Sequence, residues 1–183
     1  MKNKWLWVLL SALIYFTLSA HAQEVALPDF PIDKDTQLIT YQEVVQEPGT
    51  ADELYIRCID WINKSYKNPA DVCKVRNRES QVIEILHRIE LFNYDGDAKL
   101  NAGIVNYTLK LEFKPGRYRY TITDLTLRQA SRYPVERWFD KSDKMYSPLW
   151  DSYLVQIDTY VKNLISDLKA GMAPVPEKQE VKW

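Results

Sequence analysis

The chain has 183 residues with 24 basic and 25 acidic side chains, and 46% of its residues are hydrophobic and 13% aromatic. That is enough apolar material for one domain, and the net charge of −1 excludes the strongly basic balance of a nucleic-acid-binding surface. Five glycines and nine prolines leave no room for a long low-complexity region.

Lys2 and Lys4 precede an apolar run from Trp5 to Leu18, and Ala20-His21-Ala22 follows as a small-x-small site. This is the order of a secretory signal peptide, so residues 1–22 are expected to be cleaved, exporting a chain that begins at Gln23. The apolar run is shorter than the ~20 residues a spanning helix needs, so no stable membrane span is expected after cleavage. A periplasmic or secreted location follows. No Cys sits after the run, which argues against a lipid anchor.

Residues 23–35 hold two prolines and no periodicity, and read as a lead-in. A single domain is expected over 36–171. Thr36 to Gln46 is rich in β-branched residues and reads as a strand ended by Pro48-Gly49. Thr50-Ala51-Asp52-Glu53 is a capping box that opens a helix to about Tyr66, with Leu54, Cys58, Trp61, Ile62 and Ser65 on one side. Asn68-Pro69 blocks its continuation.

Four strands follow: Val72 to Asn77, Gln81 to Phe92, Gly103 to Phe113 and Arg117 to Leu127. In the longer three, Ile83, Ile85, His87, Ile89, Leu91, Val105, Tyr107, Leu109, Leu111, Phe113, Tyr118, Tyr120 and Ile122 alternate with polar residues. That alternation is the mark of an antiparallel sheet with one face buried. Lys114-Pro115-Gly116 is a hairpin turn. Ala130 to Tyr146 reads as an aromatic-rich loop. Ser147-Pro148 opens a second amphipathic helix, which Gly171 is expected to stop in the left-handed conformation, and residues 172–183 read as a disordered tail. The order predicts an α+β fold with both helices on one sheet face, burying Trp61 and Leu164 against Ile85, Val105, Leu109 and Tyr120.

These pieces resemble a family of exported bacterial proteins of unknown function with a TATA-binding-protein-like (TBP-like) fold. The resemblance lies in ITYQEVVQEPG, in DELYIRCIDWINKSYKN with ADV after it, in KPGRYRYTITDL, and in a closing helix with ID and LISDLK. It implies a curved antiparallel sheet in the order β-α-β-β-β-β-α with two helices on one face and an outer face left open. It carries over no activity, and the fold name implies nothing about DNA.

Nothing in the chain forms a catalytic, metal or cofactor signature. His87 is the one histidine left after cleavage and sits among aliphatics on an inward face, where a structural histidine is the better reading than a general base. An oxidising compartment could bond Cys58 to Cys73, closing a loop of about 15 residues worth ~3 kcal/mol; two small buried thiols are the other reading. Two Cys and one His fall short of a zinc set. Asn93-Tyr94-Asp95-Gly96-Asp97 lacks the Gly and Glu positions of a calcium loop and reads as a turn.

Two candidate contact surfaces remain. One is the outer sheet face, with Arg88, Lys110, Arg117 and Arg119 among Glu84, Glu90 and Glu112. The other is the aromatic stretch carrying Tyr133, Trp138 and Phe139. The expectation is a non-catalytic exported binding module with an envelope protein or glycan as partner, and with no cofactor and no nucleic acid. The alternative is a small cell-envelope enzyme or enzyme inhibitor.

Overall fold

The computed structural model describes residues 26–174; the expected signal peptide and most of the expected tail lie outside the described residues. In chain order the elements are β1 (Tyr41–Gln46), α1 (Ala51–Ser65), the one-turn α2 (Pro69–Val72), β2 (Cys73–Asn77), β3 (Val82–Asp95), β4 (Ala98–Lys114), β5 (Arg117–Leu127), β6 (Tyr133–Pro134), a 3₁₀ turn (Val135–Phe139) and α3 (Leu149–Met172). The six strands form one antiparallel sheet in the order β1-β5-β4-β3-β2, with β6 beside the end of β5.

Strand alternation decides which face is covered. Ile83, Ile85, Ile89 and Leu91 of β3, Val105 to Phe113 at every second position of β4, and Tyr118, Tyr120 and Ile122 of β5 are all buried. Each fully buried aliphatic of this set contributes roughly 1.5–3 kcal/mol. The helices touch each other as well as this face: α1 lies on β4 and β5, and α3 on β3. Both therefore cover the same side, as the sequence pattern requires. Trp61 is buried, but Leu164 is only half-buried at the helix flank.

The capping box forms as expected. Glu53 N–H donates to Thr50 Oγ1 at 3.2 Å, and Thr50 N–H donates to Glu53 Oε2 at 2.6 Å. Gly116, at φ +75° in the β4–β5 turn, donates its N–H to Gly49 O at 2.8 Å and ties that turn to the β1–α1 connection.

Several boundaries differ from the sequence reading. The first strand starts at Tyr41, not Thr36, because Asp33 Oδ1 accepts the amides of Asp35 and Thr36 and closes a turn before it. The lead-in is correspondingly part of the domain: Phe30 and Ile39 are buried, and Ile32 bridges to Ile39. Residues 93–101 extend the β3–β4 ribbon to a two-residue turn at Gly96-Asp97. Two irregularities shift the register: β4 bulges at Ala102 opposite Leu91, and β5 bulges opposite Tyr107, where Asp124 has φ +58°. The second of these moves burial from Ile122 to Leu125.

Gly171 is the clearest correction. It does not stop α3 in a left-handed turn; the helix continues through Met172, which is fully buried. Gly171 is there because a Cβ would lie 2.3 Å from Trp61 Cδ1 and 2.9 Å from Cγ. The Trp61 ring cannot swing clear, since it is core-buried and its Nε1–H donates to Asp167 Oδ2 at 2.7 Å. Gly171→Ala is therefore expected to destabilise by about 1–3 kcal/mol through overpacking, against a helix-propensity gain of at most ~1 kcal/mol. Urea unfolding checks the sign: a stabilised variant contradicts the packing argument.

Candidate functional site

The outward positions of the strands form a surface that no described element covers. Val44, Arg119 and Glu112 make one cross-strand row, and Gln42, Thr121, Lys110 and Glu84 the next. Thr123, Thr108 and Leu86 follow, then Thr126, Asn106 and Arg88. Val44 at 50% and Leu86 at 44% exposure are apolar side chains that the fold leaves in water on this face.

Charge on the face is unevenly compensated. Arg119 Nε donates to Glu112 Oε2 at 2.8 Å, and Lys110 Nζ lies 3.4 Å from Glu112 Oε1. Burial opposes ionisation of Glu112, but Arg119 and Lys110 together outweigh it and hold the carboxyl below its usual range. Arg88 Nε is 4.0 Å from Glu90 Oε1, an exposed pair of little energetic weight. Lys114 and Arg117 make no ion pair among the described residues. With Val44, Tyr118, Glu112 and Arg119 they line a shallow hollow of about 230 Å³ at one corner of the face. One carboxylate against three cations leaves that corner positive.

A second polar cluster sits on the helix side, where α1 ends. The His87 ring packs edge-on to Tyr66 at 5.0 Å and to Tyr107 at 6.2 Å, and Tyr107 Oη lies 3.3 Å from Tyr160 Oη. The Tyr66 hydroxyl is buried without a well-formed hydrogen bond. Burial raises the Tyr66 and Tyr107 phenols far above their usual range. Burial, and then the nearby Arg88 charge, lower the pKa of His87. No carboxylate bonds to His87 among the described residues; Asp124, the acid nearest to it on the sequence pattern, is paired with Arg132 instead. The described residues contain no group of three His, Cys, Asp or Glu placed to hold a metal ion.

Residues 41–128, from β1 to the end of β5, match the family described as a domain of unknown function (DUF4468) with TBP-like fold. The chain carries a DUF4468 domain. Its fold is similar to that of a TBP-like protein from Parabacteroides distasonis ATCC 8503, with 18% identity, TM-score 0.61, and coverage of 78% of this chain and 96% of that one. It is also similar to a DUF4468 family protein from Bacteroides ovatus ATCC 8483, with 13% identity, TM-score 0.62, and coverage of 81% and 93%. At these identities the likeness is one of fold. No curated protein matches the sequence.

The DUF4468 match contains Arg88, Lys110, Arg117 and Arg119, and the structure places all four on the uncovered face. Tyr133, Trp138 and Phe139 lie beyond the match and on no common surface with them. Trp138 is 2% exposed and stacks on Trp150 at 5.8 Å, so it serves the core and not a contact surface. Tyr133 lies half-buried under the Arg137 guanidinium, and Phe139 packs on Phe30 with one side in solvent. Cys58 and Cys73 are free thiols, and burial pushes the Cys58 thiol well up. Sequence reasoning missed Val44, Leu86 and Lys114 on the face, and the pairing of Tyr66 and Tyr160 around Tyr107. Alternation in β1, β3 and β4 carried the first signal; the second needed the crossing of two helices.

A DUF4468 domain with a neutral, half-buried His87 has a defined pH response. The folded pKa is depressed, so the unfolded chain takes the proton first, near 6.5. The stability His87 contributes is present above that pH and is lost as pH falls toward the folded value. His87→Leu is expected to flatten the stability curve in this window, ahead of carboxylate protonation. An unchanged slope of urea-unfolding stability against pH between about 6.5 and 5 refutes the assignment.

Proposed function

We propose that this chain is an exported, non-catalytic binding module that holds an anionic surface of an envelope partner, protein or glycan, on its uncovered sheet face. The observation that carries the reading is the corner at Lys114, Arg117 and Arg119: cations in excess of their one carboxylate, around exposed Val44, on a rigid six-stranded scaffold. A rigid sheet fixes the spacing of such groups, so little ordering entropy is lost on binding. Export is supported by the charged, apolar and small-residue order of residues 1–22. No described helix is long and apolar enough to cross a membrane.

Capture from envelope extract on the immobilised mature protein tests the reading. A specific partner is expected to be retained at low salt, released as salt rises, and lost with Arg117→Glu combined with Arg119→Glu. Arg119→Glu also gives up the part-exposed pair with Glu112, so the double variant is expected to melt a few degrees lower but to stay folded at the assay temperature. Retention unaffected by the double variant refutes the corner as the contact. Intact mass of the native protein tests export, with an amino terminus at Gln23 expected; a chain that still contains Trp5 and Trp7 refutes it.

A further inference from the structure

The β3 strand is unequally paired along its outer edge. β2 covers it only as far as Ile85, opposite Cys73, while β3 runs on to Asp95. The backbone alternation can be followed from both ends. Phe113 N–H donates to Gln81 O, so the odd-numbered residues of β3 bond to β4 and the even-numbered ones turn their N–H and C=O outward. At Phe92 those outward groups are taken by one side chain. Phe92 N–H donates to Gln156 Oε1 at 3.0 Å, and Gln156 Nε2 donates to Phe92 O at 2.9 Å. The carboxamide of α3 thus makes the two bonds a neighbouring strand would make. Between this clamp and the end of β2, Arg88 and Glu90 face outward with no strand beside them among the described residues.

The space alongside is open on both sides of the sheet plane. Three adjoining hollows of about 430, 400 and 280 Å³ follow the edge, each lined by His87 and reaching Tyr66, Tyr160 or both. Tyr66, whose buried hydroxyl makes no well-formed hydrogen bond, lines two of them.

We propose that this edge is a recognition groove for an extended segment of a partner protein, added as a short antiparallel strand in line with β2. This rests on the reading of the chain as a binding module, but not on the Arg117 corner. Charge and side-chain direction define the segment. Opposite Glu90 it places a cation and opposite Arg88 an acid, both on the outer face, and it ends before Leu86, where Val72 leads into β2. The side chains between them point to the inner face, toward Ile89 and His87 between the two tyrosines, and are apolar or aromatic. A second copy fits poorly. The register that matches Arg88 with Glu90 brings Phe92 opposite Leu86, where Gln156 already holds its outward groups. The register that avoids Phe92 sets Arg88 against Arg88.

The probe is a synthetic end-blocked peptide with the core Lys-Val-Glu-Phe, compared with a permuted peptide of the same composition, using the folded mature protein. The expected result is saturable binding with slowed hydrogen exchange at the Arg88 and Glu90 amides, and binding of the permuted peptide at least about tenfold weaker. Arg88→Pro removes an outward N–H without touching the bonds to β4, and abolishes binding. Should that variant fold badly, Arg88→Glu decides: it is expected to prefer a peptide with Lys in place of Glu. The proposal is overturned by equal binding of the permuted peptide or by unchanged exchange at both amides. It is also overturned by peptide shifts confined to Lys114 and Arg117, or by a concentration-dependent dimer that Arg88→Pro dissolves.

Discussion

Two helices can lie side by side on one face of this sheet because α3 presents no side chain where α1 presents its largest. Trp61 sits against the bare backbone of Gly171, and Asp167, one turn earlier on α3, accepts from both Trp61 Nε1 and Ser65 Oγ. Arg57 Nη1 reaches Met172 O from the same side. A larger residue at 171 would force the helices apart and open the layer over β4 and β5. Close approach here is what confines all the helical mass to one face. The other face is bare as a consequence, and its chemistry is set by strand positions that no helix ever constrained.

The far half of α3 is anchored by polar groups. Asp158 is buried, accepts from Tyr41 Oη at 2.7 Å and faces Lys162 Nζ at 2.7 Å, which ties the helix to β1 across the sheet. Glu43 of β1 likewise takes Lys169 Nζ and Tyr120 Oη, and these bonds hold its carboxyl below the usual range. α3 therefore crosses from the β3 edge, where Gln156 binds Phe92, to the β1 edge. α1 ends short of this diagonal. The gap between them is where His87 stays half-exposed beside the fully buried Tyr107, and the irregularities at Ala102 and Asp124 flank that cross-strand pair in the sheet.

What was legible in the sequence was whatever a local period encodes. Alternation placed Ile83, Leu109 and Tyr120 inward; the Thr50–Glu53 spacing gave the helix start; Pro115-Gly116 gave the hairpin. Even the outer-face cations came from period two alone. The misreadings came where tertiary contact overrides a local rule. Glycine at a helix end normally signals a left-handed stop, but Gly171 is helical because Trp61 occupies the space a side chain would need. Trp138 looked like a recognition residue because its segment has no period, yet Trp150 and Tyr153, from the next helix, bury it. The bulge at Asp124 shifted the face pattern by one residue and sent that carboxylate to Arg132, away from His87. The open β3 edge was invisible for a different reason: strand lengths show in a sequence, but which strands are neighbours does not.

That edge has a separate cause from the bare face: the shortness of β2 beside the long β3. β2 is confined to Cys73–Asn77 because α2 turns the chain immediately before it, with Pro69 in its first turn, and the turn at Gln81, φ +55°, follows it. Proteins commonly guard a free edge with charge, and Arg88 and Glu90 serve that purpose against indiscriminate pairing. The two sides of this edge are nevertheless unlike. Burial and the Arg88 charge keep His87 neutral, so the inner wall offers aromatic and imidazole faces, with the Asp167 carboxylate beyond them taken up by Trp61 and Ser65. The outer side offers a cation and an anion beside Leu86. A strand whose alternate side chains differ in polarity can satisfy both environments in one register only, since a slip of one residue exchanges its two faces. The asymmetry that protects the edge from its own copies is the same asymmetry by which it can select a partner.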